Sequence, residues 1–345
     1  GQEAGSGSVS GYSSNFLGYY AGNGATNATN SNFLGQQAGN LATYASASNF
    51  LGSNAGQGAT SASNSNFLGS SAGYGATSAS NSNFLGSNAG YLAVDASYSN
   101  FLGTSAGNNA TNAANSNFFG ESAGNSATNA DHSNFFGDEA GIGATDATNS
   151  NFIGNLAGSG AVNADHSNFF GYTAGQNATN AAYSNFLGAS AGFGATNARN
   201  SIFIGESAGA NDTANNTGDV NDYSILIGND TSTAGFENSI ALGGYATNTA
   251  SNQFMIGSTT RPIDTLVLTG SGGNTCVLDV TVASPSCSSD ETLKTNITDL
   301  STSTLENLIK VKTVSYNWKN YPDKGSQIGF LAQDLEQYFP EVVSV

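Results

Sequence analysis

Charge is what this sequence has least of. Only 9% of its 345 residues are Asp, Glu, Lys or Arg, against roughly a quarter in ordinary soluble proteins. Seven basic residues stand against 24 acidic ones, which gives a net charge of −17, and Arg199 is the sole basic residue before Arg261. A nucleic-acid-binding surface needs clustered basic side chains to neutralise phosphates. The composition therefore excludes nucleic acid as a partner.

Long apolar runs are also missing. No run approaches the ~20 residues that a membrane-spanning helix needs, and no basic segment followed by an apolar one opens the chain. We therefore expect no membrane span, and either a leader removed ahead of Gly1 or export by another route. The two cysteines, Cys276 and Cys287, are compatible with one disulfide outside the cell or with two free thiols.

Residues that carry chemistry are sparse. The two histidines, His132 and His166, occupy equivalent positions of a repeat and follow Asp131 and Asp165. We interpret them as surface corner residues and expect no metal site and no cofactor. No Ser/His/Asp or Cys/His constellation is visible, and a glycan-degrading enzyme would need a pair of acids in a cleft. The regular units hold only scattered acids, so we do not expect a substrate-turning enzyme.

A 17-residue unit dominates what is present. Twelve copies run from Ser14 to Gly209, built on Ser-Asn-Phe-apolar-Gly followed by Ala-Gly, with Ile202 replacing the asparagine in the last copy. A fixed short period is typical of a solenoid with one coil per repeat. Helix is disfavoured because each interior glycine costs about 1 kcal/mol, whereas Asn-Phe-Leu suits a short strand ended by a glycine bend. The pattern predicts an all-β fold, a parallel β-solenoid or β-roll with two short strands and two corners per coil.

Strand alternation places the phenylalanine and the residue after it on opposite faces. The following residue is Leu, Phe or Ile, as at an interior site that needs only bulk, so we expect the phenylalanines to face outward. The threonine position, which becomes valine at Val94 and Val162, is then expected to pack a methyl group inward. The asparagine is expected either to form an inward hydrogen-bonded ladder along the stack or to cap a bend.

An outward row of phenylalanines is too large an apolar surface for a soluble monomer. The preferred cover is two other copies of the chain around a threefold axis, which predicts a homotrimer. Two alternatives stay open: phenylalanine inside with leucine at the interface, or a single chain whose loops cover both faces. The predicted interface residues are Phe16, Phe33, Phe50, Phe67, Phe84, Phe101, Phe118, Phe135, Phe152, Phe169, Phe186 and Phe203.

Beyond Gly209 the period breaks while the theme continues. Three apolar-Gly segments end at Gly228, Gly243 and Gly257. The segment Ser239-Ile240-Ala241-Leu242-Gly243, followed by small residues, resembles the head repeats of trimeric autotransporter adhesins. The resemblance implies a trimeric left-handed parallel β-roll in which the Ala241 position faces away from the coil interior.

The composition changes again near Ser289, after which five of the seven basic residues lie. Three blocks, 289–297, 314–319 and 328–342, resemble the intramolecular chaperone domain that ends endosialidases and many phage tail fibres. We therefore divide the chain into an N-terminal segment (1–13), regular repeats (14–209), irregular repeats (210–260), a junction (261–288) and a small α+β chaperone-like domain (289–345).

The chaperone resemblance carries a self-cleaving pair over to this chain. In that family a serine and the lysine five residues later cleave the bond just before the serine, which corresponds to Ser289, Lys294 and the Ser288–Ser289 bond. A lysine whose pKa is lowered by burial can remove the proton of a serine hydroxyl and make it nucleophilic. A retained, uncleaved folding domain is the alternative.

These features indicate a structural extracellular protein on a virion or a cell surface, a tail fibre or an adhesin. Coils that contact only other copies nucleate slowly and in competing registers, and a C-terminal chaperone would hold three chains together while the coils form. Variable Tyr, Asn and Gln corners are candidate contacts for a surface glycan. The alternative function is an extracellular filament in which trimers join end to end.

Overall fold

The computed structural model describes residues 1–214, 223–269, 275–279, 302–317 and 325–340. The chain divides into two compact units, Gly1–Leu266 and Val267–Val345. The first unit is the predicted parallel β-solenoid, and the second contains short helices and strands.

Fifteen three-residue strands stack in chain order into one parallel sheet, each pairing with the next. In the regular repeats the partners lie 17 residues apart, as in the pairing of Phe67 with Phe84. The irregular segments continue the same sheet, because Phe203 pairs with Leu226 and Leu226 with Ala241. The strands are β1 Asn15–Leu17, β2 Asn32–Leu34, β3 Asn49–Leu51, β4 Asn66–Leu68, β5 Asn83–Leu85, β6 Asn100–Leu102, β7 Asn117–Phe119, β8 Asn134–Phe136, β9 Asn151–Ile153, β10 Asn168–Phe170, β11 Asn185–Leu187, β12 Ile202–Ile204, β13 Ile225–Ile227, β14 Ile240–Leu242 and β15 Phe254–Ile256.

The second strand of each coil is reduced to a single bridged residue. Thr26 bridges Thr43, Thr77 bridges Val94, and the row continues to Thr213. It begins at Val9, and Gly5 N–H donates to the Ala21 carbonyl oxygen at 2.8 Å. Residues of the N-terminal segment (1–13) thus form part of the stack, although the repeat pattern did not include this segment.

The phenylalanines in the middle position of β1–β12 fill the inside of the coil. All but Phe16 are fully buried within a single chain, and each ring stacks on the next with centroids 4.7–4.8 Å apart and planes within 7°. The prediction that they face outward and form a trimer interface is therefore wrong, and the alternative orientation with phenylalanine inside is the observed one. The buried rings are those of Phe33, Phe50, Phe67, Phe84, Phe101, Phe118, Phe135, Phe152, Phe169, Phe186 and Phe203, while Phe16 at the start of the stack is partly buried.

Small residues explain why the ring fits inside. In one coil Ala72, Ala76 and Ala79 are fully buried around Phe67. Alternation then turns the threonine outward, and Val94 and Val162 are each 37% exposed. The expected inward threonine methyl is wrong for this reason. Ala241 is also fully buried, which corrects the outward position implied by the adhesin resemblance.

Two glycines per coil are required by close approach. Gly73 has φ +64°, and a Cβ added there would stand 2.3 Å from Cδ2 of Phe67. Gly69 has φ +138°, and its added Cβ would stand 2.4 Å from the carbonyl oxygen of Gly86. The first contact keeps room for the ring, and the second lets consecutive coils pack backbone to backbone.

A buried serine closes each coil. Ser65 is fully buried, and its Oγ donates to the Ala79 carbonyl oxygen at 2.7 Å while it accepts a hydrogen bond from Ser82 N–H at 3.1 Å. Because a buried hydroxyl is costly unless it is paired, this repeated arrangement satisfies the serine and joins the two sides of the coil.

The remaining elements are short. Strands β16 (Thr265–Thr269) and β17 (Thr275–Asp279) form a two-stranded sheet. The second unit then has helix α1 (Thr302–Leu308), the antiparallel pair β18 (Thr313–Tyr316) and β19 (Gln327–Phe330), and helix α2 (Ala332–Tyr338). In this unit Val311 is buried, while Ile328 is 83% and Ile309 76% exposed.

Candidate functional surfaces

The outer face of the sheet carries a continuous stripe. We define the outer stripe as the first and third residues of β1–β15, which flank the buried middle residue of each strand. Its third residues are Leu, Phe or Ile throughout; they are half-buried in β2, β4–β6, β8, β11 and β15 and more than a third exposed in the other strands, as at Leu51 (36%), Phe119 (37%) and Ile204 (38%). This position accepts different apolar side chains because it faces outward, and the prediction that it lies inside the coil is wrong.

Asparagines form the second row of the outer stripe. In each pair the Nδ2 of one asparagine donates to the Oδ1 of the next, as from Asn66 to Asn83 at 2.8 Å, without a break from Asn15 to Asn185. The predicted ladder exists, but it lies outside the coil because the asparagine shares a face with the outward leucine. Each amide satisfies its neighbour along the stack.

The two rows border an open groove. It has a volume of about 840 Å³ and runs along β1–β7, with walls of asparagine and leucine side chains from Asn15 to Phe119. No strand of the fifteen contains an ionisable residue. The outer stripe is therefore a neutral, largely apolar surface with paired amides on one side.

Acidic residues gather on a different surface. A groove of about 440 Å³ is lined by Asp95, Asn112, Ala114, Asn129, Asp131, Asp146, Thr148 and Asp165. Asn129 Nδ2 donates to Asp146 Oδ1 at 2.6 Å, and Thr148 N–H donates to Asp165 Oδ1 at 3.0 Å. These carboxylates extend the hydrogen-bonded rows of the repeat. Within the described ranges no group of three or more His, Cys, Asp or Glu residues is arranged to hold a metal ion.

The histidines take the corner positions that the sequence predicted for them. The His166 ring stacks on Tyr183 at 4.8 Å, and the Arg199 guanidinium lies 5.9 Å from the centroid of the same tyrosine ring. Tyr183 is half exposed. These contacts join neighbouring coils at the surface through aromatic stacking and a cation–π contact.

One tyrosine near the start of the stack titrates unusually. A side-chain hydrogen bond with Tyr19, reinforced by the negative charge of Glu3, raises the pKa of Tyr20 to about 12. The rings of the two tyrosines meet edge to face at 4.3 Å. The pair is a local feature of the first coils with no other reactive group beside it in the contacts described.

The predicted self-cleavage residues, Ser288, Ser289 and Lys294, lie outside the described residues. Cys276 lies in β17, and Cys287 is outside the described ranges. The part of the chain that the structure describes contains no helix long and apolar enough to cross a membrane.

Comparison with known families bears on the C-terminal unit. Residues 289–344 match the family model described as "Chaperone of endosialidase", which confirms the resemblance inferred from the three sequence blocks. Helices α1 and α2 and the β18–β19 pair fall inside this stretch. No curated protein matches the chain.

Proposed function

We infer that the chain is a structural protein of the tail-fibre kind, because a parallel β-solenoid followed by a chaperone-of-endosialidase domain fits such a protein. We propose that the chain forms a homotrimeric extracellular fibre, carried on a virion or a cell surface, whose C-terminal domain brings three copies together. The observation that carries the proposal is the match of residues 289–344, which lie C-terminal to the stack of coils in the same chain.

The second unit supports the trimer by what it leaves exposed. Besides Ile328 and Ile309, it exposes Leu305 (59%) and Phe330 (51%), and α2 contains no buried residue. A small unit that exposes so much apolar surface is typical of one completed by other subunits.

Self-cleavage is the second part of the proposal. Lys294 would take the proton of the Ser289 hydroxyl, and Oγ would attack the Ser288 carbonyl carbon as the Ser289 amine leaves. Water would then hydrolyse the resulting ester and regenerate the hydroxyl. Removal of the chaperone would leave a fibre that is trapped kinetically, since its coils could no longer reassemble.

Mass spectrometry tests both parts. Native mass spectrometry of the purified protein should give three times the chain mass, and a monomer would refute the trimer. The mass of the denatured chain should equal that of a chain ending at Ser288 in the unaltered protein, and that of the full-length chain in Ser289→Ala. A full-length mass for both would overturn self-cleavage and leave the trimer standing.

An end-to-end filament is the second candidate, favoured by the uniformity of the stack. Fifteen strands at ~4.8 Å spacing give a rod of about 67 Å. Electron micrographs distinguish the two: particles of one fixed length indicate the fibre, and lengths without an upper bound indicate the filament. Glycan arrays probed with the assembled protein would test the corner residues as receptor contacts.

A further inference from the structure

The outer stripe is an apolar surface that a single chain of the solenoid leaves uncovered. None of its third residues is buried: they range from half-buried, as at Leu102, to exposed, as at Ile153 (39%) and Leu242 (38%). Each strand is three residues long, so fifteen strands at ~4.8 Å spacing and ~3.3 Å per residue give a face of roughly 67 Å by 10 Å, about 670 Å². A standard protein interface buries about 800 Å² on each partner. The stripe and its immediate margins thus have the size of a complete interface.

Charge points to the kind of partner. The stripe contains no ionisable residue, whereas Asp95, Asp131, Asp146 and Asp165 line another surface. Copies of a chain with a net charge of −17 repel one another through acidic surfaces, and meet at least cost through a neutral one. A second copy of this chain presents the same neutral, apolar row.

The hydrogen bonds of the asparagine ladder lower the cost of burying the stripe. Buried amides are costly unless they are hydrogen-bonded. Here each Nδ2 already donates to the next Oδ1 within the same chain, as from Asn100 to Asn117 at 2.8 Å. Covering the polar row therefore leaves one N–H and one acceptor site of each amide to be paired, rather than the whole amide.

The regular spacing adds shape complementarity. Leu, Phe or Ile repeats in the third position at the backbone spacing, so the apolar rows of two copies can interdigitate along the stack, as in a dry steric zipper. From these observations we propose that the outer stripe is the surface through which three copies of this chain pack in parallel. This rests on the proposed trimer, and replaces the phenylalanine interface that the buried rings rule out.

Cysteine crosslinking tests the proposal without disturbing the fold. In a background with Cys276→Ser and Cys287→Ser, Leu102→Cys places a thiol on the stripe, and Thr111→Cys places one on the outward threonine row of the following coil segment. Around a parallel threefold axis the Leu102→Cys thiols converge, so mild oxidation should link most chains in pairs. Thr111→Cys should remain unlinked.

A charge variant gives an independent measure. Leu102→Asp should reduce the trimer fraction several-fold in native mass spectrometry because three carboxylates would meet, whereas Thr111→Asp should leave it unchanged. If the unaltered protein is a trimer but Leu102→Cys does not crosslink, or if Thr111→Cys crosslinks instead, the stripe is not the interface. If the unaltered protein is a monomer, the proposed trimer itself fails.

Discussion

A single methyl group at Gly107 should open the core of the solenoid. An added Cβ would stand 2.3 Å from Cδ2 of Phe101, and the backbone there has φ +63°. The ring cannot turn aside, because Phe84 and Phe118 stack on its two faces at 4.8 and 4.7 Å. Left-handed backbone costs a residue with a Cβ about 1–2 kcal/mol, and overpacking a filled core costs ~1–3 kcal/mol. We expect Gly107→Ala to lower the free energy of unfolding by about 2–5 kcal/mol.

Gly143→Asn is the matched control. Gly143 has φ +63° as well, but no atom lies within 4 Å of an added Cβ. The equivalent position of another coil is held by Asn109 with φ 54°. We expect a change of less than about 1 kcal/mol. Urea unfolding followed by circular dichroism compares the two variants, and equal losses would refute the argument that the ring, rather than the backbone angle, requires the glycine.

Three further changes test other parts of the stack. Ser99→Ala removes the acceptor of Ser116 N–H and the donor to the Ala113 carbonyl oxygen, so it should lower the free energy of urea unfolding by about 1–3 kcal/mol. The control Ser87→Ala, at an exposed serine, should change it hardly at all. Equal effects would contradict the role given to the two buried hydrogen bonds. Tyr20 should ionise near pH 12 in a phenolate absorbance titration, and Tyr20→Phe should abolish this high-pH ionisation step. Because the folded state holds the proton more tightly, the contribution of Tyr20 to stability should be complete below pH 10 and lost as the pH rises through 12. Asp212→Ala should destabilise the contact between the last regular coil and the first irregular coil, because the buried carboxylate accepts hydrogen bonds from Thr233 N–H and Oγ1. The rate of hydrogen exchange at the Thr233 amide should increase.

The repeat predicted the strand positions but left the inside of the coil undecided. The constant 17-residue period placed the strands, because a solenoid maps each repeat on one coil. Alternation, however, only relates the phenylalanine to its neighbour and does not choose which is buried. Variation at the Leu68 position suggested an interior site, although an outward apolar row tolerates the same variation.

Volume would have decided the question. Each repeat pairs one large ring with three alanines and a glycine, such as Ala72, Gly73, Ala76 and Ala79 beside Phe67, and all of these are buried. Small residues on the facing wall leave room for a single large side chain per coil, as close packing demands. A comparison of side-chain volumes across the coil, rather than along the strand, would have placed the phenylalanine inside.

In the proposed trimer of similar coils, three copies would have to find one register. Along the regular coils the outer stripe varies little, with asparagine in the first row of β1–β11 and Leu, Phe or Ile in the third, whereas in the last strands Ile225, Ile240 and Phe254 stand in place of the asparagine. We expect these irregular coils to set the register, because a slip there changes the surface that each copy presents. Replacing residues 210–260, which equal three repeats in length, by three regular units should lower the yield of Leu102→Cys crosslinks while the trimer persists. If the yield of these crosslinks does not fall, the C-terminal domain alone sets the register.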